Sequence, residues 1–141
     1  IVGSGVERQN LKNYIKKNGL LKIVKITNFI SNPYQYMKQA ELFILTSLYE
    51  GLPNVLLEAQ GLKKFIISSN CPTGPREILL NGKAGFLFST GNEDQLSKKI
   101  FDYYKNKKKL NKMINLGYKN IDRFDSKKNL LKYYNLINKY L

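Results

Sequence analysis

Short apolar runs alternate with amphipathic segments along most of the chain, and this alternation predicts an α/β fold. A short apolar run between polar residues is typical of a buried strand, whereas apolar residues three or four positions apart are typical of a helix. Strands that alternate with helices favour a parallel sheet flanked by helices. The predicted strands are Ile1–Val2, Leu21–Ile26, Leu42–Thr46, Phe65–Ser68 and Phe86–Phe88.

Capping residues and glycines mark the predicted helix ends. Gly19 closes the first helix, Ser31 or Asn32 caps the second, and Asn92 caps a later helix in which apolar residues recur at helical spacing. The earlier predicted helices are Glu7–Asn18, Pro33–Gln39, Asn54–Leu62 and Arg76–Leu80. The later ones carry Leu96, Ile100 and Tyr104, then Leu110, Met113, Ile114 and Tyr118, and finally, from Asp125 or Ser126, Leu130, Leu131, Tyr134, Ile137 and Leu141.

The connection from the Leu42–Thr46 strand into the next helix carries the candidate chemistry. Residues 47–60 read Ser-Leu-Tyr-Glu-Gly-Leu-Pro-Asn-Val-Leu-Leu-Glu-Ala-Gln. Gly51 permits backbone conformations closed to other residues, Pro53 suits a first helical turn, and Asn54 is a good N-cap. A strand, a tight turn and a helix N-terminus together form an anion site, because unpaired N–H groups and the positive end of the helix dipole face the ligand.

Two carboxylates flank this turn. Glu50 precedes it, and Glu58 lies eight positions later, one helical turn beyond Asn54 and on the same face. A carboxylate beside bound phosphate is badly placed to hold the phosphate itself. It is well placed to accept hydrogen bonds from sugar hydroxyls, so the segment predicts a nucleotide-sugar site.

Five segments in register resemble the retaining glycosyltransferases of group 1 (family 4), which have the two-domain GT-B fold. The Glu50-to-Glu58 spacing resembles their Glu-x7-Glu motif, and Asn32-Pro33-Tyr34 resembles the start of the helix before the Glu-bearing strand. Val2-Gly3-Ser4-Gly5 is similar to the family's strand-end glycine turn. Cys71 to Leu79 is similar to Pro-Ser-Gly-Pro-Arg-Glu-Ile-Leu of the N-acetylgalactosamine-transferase-like branch. Gly82 to Phe88 is similar to the strand that follows it in the family.

The resemblance implies a role for each residue of the site. Glu50 would contact the donor sugar and support developing oxocarbenium charge, Glu58 would accept hydrogen bonds from ribose hydroxyls, and the backbone of Ile30 would hold the base. The pyrophosphate would meet the backbone N–H groups of Gly51, Leu52, Asn54 and Val55. The alternatives are a carboxylate at a strand end for Glu50 and a solvated helix residue for Glu58.

The family's organisation implies that residues 1–141 are a Rossmann-like partial donor-binding domain, without the acceptor domain and the upstream Gly-Arg…Lys segment of relatives. The implied reaction transfers a hexose or N-acetylhexosamine from a UDP-sugar to a growing surface polysaccharide or lipid-linked glycan. No metal and no other cofactor is expected, since the sequence lacks Asp-x-Asp. The chain by itself is expected to be inactive, because only one wall of the cleft between the domains would be present.

Other residues leave alternatives open. Gly3 and Gly5 do not begin a dinucleotide-binding fingerprint, because Arg8 stands where its third glycine is needed. They form either a donor-side loop or only a hinged turn. Arg76 and Glu77 are predicted to pair with each other or to cap a helix rather than to catalyse. Cys71 has no neighbouring base in the sequence and is predicted to be a buried structural thiol.

Length and composition limit the classes of protein to which this chain can belong. With 141 residues and 43% hydrophobic content, the chain can bury one core and form no more than one or two domains. The absence of histidine excludes imidazole base catalysis and most zinc chemistry, and a single cysteine permits no internal disulfide. No apolar run of transmembrane length and no signal peptide is found, so a cytoplasmic protein is expected, either free or at the inner face of a membrane.

Positive charge is concentrated in the last third of the chain. Of the formal net charge of +14, residues 95–141 contribute +10, from 13 Lys or Arg and three acids. This region either attracts an anionic membrane or a partner, or only reflects a bias towards lysine throughout the chain. It supports a second hypothesis, a non-catalytic remnant of the nucleotide-sugar fold. Nucleic acid is not expected as a partner, because no aromatic–basic module is found.

Overall fold

A computed structural model describes residues 1–140, which divide into two compact units, Ile1–Tyr36 and a second unit from Met37 onwards. The strands are β1 (Leu42–Leu45), β2 (Phe65–Ser69) and β3 (Phe86–Phe88). The helices are α1 (Arg8–Lys17), α2 (Tyr34–Gln39), α3 (Asn54–Gly61), α4 (Pro75–Ile78), α5 (Glu93–Asn106), α6 (Asn111–Asn120) and α7 (Ser126–Ile137), with a 3-10 helix at Ile121–Phe124 between the last two.

The first unit is built around α1 and contains less strand than the sequence predicts. Gly19 ends α1 with φ of 67°, as predicted. Val2 and Thr27 form an isolated parallel bridge, so the prediction of strands at Ile1–Val2 and Leu21–Ile26 is wrong. The physical reason is local hydrogen bonding. The N–H groups of Ile23 and Val24 both donate to the carbonyl oxygen of Leu20, which folds the segment into a turn.

A parallel sheet of three strands, in the order β1-β2-β3, forms the centre of the second unit. Leu42 pairs with Phe65, and Ile67 pairs with Phe86. All five residues of β2 are buried, as expected for the central strand of a parallel sheet covered on both faces. The parallel α/β fold predicted from the sequence is therefore confirmed, although the predicted strand at Ile1–Val2 is not a member of this sheet.

Alternate residues of β2 point to opposite faces of the sheet and belong to two separate clusters of apolar side chains. Ile66 lies on one face, and Phe65 and Ile67 lie on the other. The first cluster contains Met37, Leu56, Ala59, Ile66, Ile78 and Leu79, and the second contains Phe65, Ile67, Phe88, Tyr103 and Leu110. Helices α3 and α4 therefore cover one face, and α5 covers the other.

The buried aromatic residue of α5 is Tyr103, not the predicted Tyr104. The Tyr103 ring stacks on Phe65 with centroids 5.1 Å apart, and its hydroxyl donates to the carbonyl oxygen of Glu41 at 3.0 Å. Burial raises the pKa of Tyr103. The Tyr104 side chain is 60% exposed. The helical spacing thus predicted the correct face of α5 to within one residue.

Side-chain caps begin two of the C-terminal helices, as the sequence predicts. The Asn92 side chain accepts from the N–H of Gln95 at 2.8 Å, and the Asp125 side chain accepts from the N–H of Lys128 at 2.8 Å. No residue of α7 is buried. Among residues 1–140, the helices are too short or too polar to cross a membrane.

Stability of the second unit should depend on the contact of α3 with the sheet. Leu56 is fully buried in the first cluster, and its replacement by alanine should lower the free energy of unfolding by about 2–5 kcal/mol, through lost burial and a residual cavity. The matched change Leu130→Ala, at a side chain 71% exposed, should cost no more than about 0.5 kcal/mol. Urea unfolding followed by circular dichroism measures both. Equal losses would contradict this packing.

Candidate functional site

The candidate site lies where β1 and β2 end. Parallel strands present their carboxyl ends at one edge of the sheet, and ligands of open α/β sheets bind at that edge. The loop after β1 contains Ser47 and Glu50 and leads into α3, and the loop after β2 contains Thr73 and Gly74 and leads into α4. The two loops contact each other at several points.

Glu50 is held at both ends by side chains from these loops. The Ser47 hydroxyl donates to Glu50 Oε1 at 2.6 Å, and the Thr73 hydroxyl donates to the Glu50 carbonyl oxygen. The Glu50 side chain is half-buried. Its carboxylate is therefore held by the loop that leads into α3 instead of extending fully into solvent.

The start of α3 differs from the prediction in one respect. Asn54 is the first helical residue, Pro53 occupies the N-cap position, and no side chain caps the helix, so the prediction of Asn54 as the N-cap is wrong. The earliest helical hydrogen bond joins the N–H of Leu56 to the carbonyl oxygen of Pro53 at 2.9 Å. The N–H groups of Asn54 and Val55 precede it and have no partner within the helix. An anion can therefore reach this end of α3 without displacing a cap.

Glu58 lies in α3, one turn beyond Asn54. Its side chain is half-buried, and its carboxylate makes no hydrogen bond or ion pair with the residues described in the second unit. A carboxylate with all its lone pairs available can accept two hydroxyl hydrogen bonds at once. Glu58 is therefore free to accept hydrogen bonds from a ligand, and its role as an acceptor for ribose hydroxyls stays a prediction.

The glycine required by the site is Gly74, which the sequence reasoning did not single out. Gly51 lacks a positive φ, is exposed, and would accommodate a Cβ in open space, so the prediction that the turn needs the backbone freedom of Gly51 is wrong. Gly74 has φ of 84°, and a Cβ there would overlap the Gly51 carbonyl oxygen and Pro53 Cδ. The only signal in the sequence was its place before Pro75, in the segment that resembles the family.

Three predicted site residues lie in the first unit. Gly3, with φ of 134°, and Gly5 line a shallow cavity of about 210 Å³ together with Arg8 and Ile26. Ile30 is half-buried in the loop before α2. The structure brings Glu50, Gly51, Leu52, Asn54, Val55 and Glu58 together in the second unit. The ligand-binding and catalytic roles predicted for the residues of both units stay predictions.

Arg76 and Glu77 have structural partners, but they do not pair with each other. Arg76 Nε donates to Asn70 Oδ1 at 3.2 Å, and Glu77 lies 3.5 Å from the guanidinium of Arg123. The two side chains thus connect α4 to the loop after β2 and to the 3-10 helix. Cys71 is buried with 2% of its surface exposed, as predicted for a structural thiol.

Comparison with known proteins identifies relatives of this chain. The chain matches the family described as glycosyl transferases group 1 over residues 1–120. It is 31% identical over 118 residues to a Campylobacter jejuni N-acetylgalactosamine-N,N'-diacetylbacillosaminyl-diphospho-undecaprenol 4-alpha-N-acetylgalactosaminyltransferase, covering 77% of this chain and 32% of that protein. It is 30% identical over 138 residues to the Escherichia coli O-antigen biosynthesis glycosyltransferase WclY, covering 98% and 38%. The chain thus spans about a third of the length of these curated relatives.

Solved structures share the fold. TarM superposes with a TM-score of 0.86 at 23% identity, over 98% of this chain and 28% of its own. Anabaena HepE in complex with UDP superposes with a TM-score of 0.84 at 21% identity, over 99% and 40%. The lipopolysaccharide outer core galactosyltransferase WaaB gives 0.76 at 27% identity, over 100% and 40%. These neighbours have the GT-B fold, and the chain corresponds to its C-terminal part.

The contact between the two loops predicts opposite outcomes for two glycine substitutions. Gly74→Ala should lower the free energy of unfolding by about 1–3 kcal/mol, because the added methyl group overlaps backbone atoms of the neighbouring loop. Gly51→Ala, the matched control, should leave stability nearly unchanged, since its Cβ meets open space. Urea unfolding curves of both variants test this. A Gly74→Ala protein as stable as wild type would show that the loops do not approach as described.

Proposed function

Because the chain belongs to the glycosyl transferases group 1 family, we propose that it is the donor-binding part of a retaining glycosyltransferase. The observation that carries the proposal is the uncapped start of α3 between two carboxylates, one held by Ser47 and one without a partner among residues 1–140. Backbone N–H groups suit a diphosphate, and the carboxylates suit the hydroxyl groups on either side of it.

We propose a UDP-sugar as the donor. Its ribose hydroxyls donate to Glu58, and its diphosphate accepts from the backbone N–H groups of Gly51, Leu52, Asn54 and Val55. Support comes from HepE, which was solved in complex with UDP, and from pneumococcal GtfA, solved with UDP and GlcNAc. In this proposal the N-terminus of α3 stabilises the departing diphosphate, so transfer needs no metal.

Glu50 would act on the transferred sugar. A carboxylate fixed beside the anomeric carbon supports the positive charge that develops in an oxocarbenium-like transition state. We propose that a hexose or N-acetylhexosamine passes to a growing surface polysaccharide or a lipid-linked glycan. The names of the Campylobacter jejuni and Escherichia coli relatives, which refer to a diphospho-undecaprenol glycan and to O-antigen biosynthesis, support this class of acceptor.

Binding of UDP tests the placement of the ribose. Glu58→Ala should weaken binding of UDP by about 1.5–3 kcal/mol, the range for a hydrogen bond to a charged group. The control Glu93→Ala removes an exposed acid from the first turn of α5, outside the proposed site, and should leave the affinity unchanged. Titration calorimetry measures both variants. Equal affinity for wild type and Glu58→Ala would contradict this placement.

A second candidate function is peripheral contact with an anionic membrane through α7. Four of its apolar residues recur three or four positions apart on one face, and each of them is more than half exposed: Leu130, Tyr133, Tyr134 and Ile137. Lys128 and Lys132 lie on the opposite face, and α7 contains no acidic residue. A basic amphipathic helix of this kind binds in the interface of an anionic bilayer. This contact would place either the enzyme or a non-catalytic remnant at the inner, cytoplasmic face of a membrane.

Sedimentation with vesicles tests the membrane contact. Wild type should pellet with phosphatidylglycerol-containing vesicles at low salt, and less so in pure phosphatidylcholine or at about 1 M salt, where charges are screened within about 3 Å. The double change Leu130→Ser and Ile137→Ser should reduce pelleting by removing apolar anchors. Leu116→Ser, at an exposed position of α6, is the control. Equal pelleting of the double variant and wild type would eliminate α7 as the anchor.

A further inference from the structure

We propose that Ser47 and Thr73 are positioning residues that fix Glu50 towards the donor sugar. This inference rests on the proposed function of Glu50 and extends it to residues outside the two-carboxylate motif. In the structure, the carboxylate of Glu50 accepts a hydrogen bond from Ser47, and its backbone carbonyl oxygen accepts one from Thr73. Neither residue needs to touch the donor for this role.

The contact at the carboxylate leaves one oxygen available. The Ser47 hydroxyl donates to Oε1 at 2.6 Å, a length typical of a charge-assisted hydrogen bond. Oε2 makes no hydrogen bond or ion pair in the described part of the second unit. Ser47 therefore restrains the carboxylate through Oε1 and leaves Oε2 available to a ligand. An unsupported glutamate would distribute over several rotamers and present this oxygen only part of the time.

Ser47 is itself attached to the core. Its carbonyl oxygen accepts from the hydroxyl of Ser69 at 2.6 Å, and Ser69 is the fully buried last residue of β2. The central strand thus holds the backbone of Ser47, and the side chain of Ser47 holds Glu50. This sequence of contacts transmits the rigidity of the sheet to the carboxylate. Sites supported in this way by a second layer of hydrogen bonds keep the geometry that catalysis requires.

Thr73 acts on the other end of the residue. Its hydroxyl donates to the carbonyl oxygen of Glu50, and the next residue, Gly74, lies against Gly51 and Pro53. The loop after β2 therefore prevents the peptide between Glu50 and Gly51 from rotating. Because the N–H of Gly51 belongs to that peptide, the same contact orients one of the proposed phosphate donors. Loss of the Thr73 hydroxyl should accordingly affect UDP as well as the sugar.

The two residues can be distinguished by the part of the ligand that each one affects. Ser47 acts only on the carboxylate, so Ser47→Ala should weaken binding of UDP-N-acetylglucosamine and UDP-glucose by about tenfold while leaving UDP within about twofold of wild type. Thr73→Ala acts on the peptide, so it should weaken all three ligands. Ser47→Thr and Thr73→Ser keep a hydroxyl and should restore affinity. Ser97→Ala, an exposed serine of α5, is the control for removing a hydroxyl.

Titration calorimetry of the 141-residue chain with UDP and the two UDP-sugars gives these ratios. Thermal unfolding of each variant checks the fold, and Ser47→Cys is the substitute if Ser47→Ala is unstable. A selective loss of the UDP-sugars in Ser47→Ala, with recovery in Ser47→Thr, supports the proposal. An unchanged UDP-sugar affinity in Ser47→Ala, or an equal loss for UDP and UDP-sugars, overturns it. A crystal structure of Ser47→Ala in which Glu50 keeps its rotamer would overturn it as well.

A different set of results would refute the proposed function itself. If wild type binds neither UDP nor the UDP-sugars, the donor site itself is refuted, and the positioning role with it. If wild type binds UDP and Glu50→Gln selectively weakens the UDP-sugars, the donor site is supported independently of Ser47. In that case an unchanged Ser47→Ala refutes the positioning role alone.

Discussion

The central strand β2 is the constraint on which the second unit depends. Its five residues are buried on both faces, so the sheet can form only if α3 and α4 cover one face while α5 covers the other. The same burial creates a polar requirement at the end of the strand. Ser69, the last residue, is fully buried, and its hydroxyl is satisfied by the carbonyl oxygen of Ser47 in the neighbouring loop. A polar requirement of the core thereby determines the path of the loop that carries Glu50.

The start of α3 combines two features that usually oppose each other. A helix N-terminus is normally stabilised by a side-chain cap, and the absence of a cap costs stability of about 1 kcal/mol. Here Pro53 occupies the N-cap position without such a bond, while its ring packs against Gly74. Packing between loops thus stabilises the turn in place of a cap. The N–H groups at the start of the helix consequently remain available to a ligand, at the edge of the sheet where Glu50 and Glu58 also lie.

Elements with strong local signals were predictable from the sequence. The strands β1, β2 and β3 follow from apolar runs, and α5 and α7 follow from Asn92 and Asp125, whose caps depend on a residue three positions away. The failures occur where a local pattern had two physical outcomes. Leu21–Ile26 has the composition of a strand, but the N–H groups of Ile23 and Val24 bond to Leu20 in a local turn, and the Ile23 side chain is 79% exposed. Composition alone does not distinguish a strand from a turn, because a strand needs hydrogen bonds to a second segment.

The candidate site was predictable in its motif but not in its support. Spacing identified Glu50 and Glu58 as candidates. Both belong to one continuous segment, in which Glu50 precedes the turn and Glu58 lies in α3, so the eight positions between them are visible in the sequence. The residues that hold Glu50 lie 3 and 23 positions away in the sequence, and the second separation depends on how β1 and β2 align in the sheet. The same register explains why Gly74, not Gly51, is the glycine that the turn requires: the steric demand comes from a different loop, and no local preference of residues 47–60 records it. A motif therefore names candidate groups for binding a ligand, whereas tertiary contacts decide whether those groups are held in place.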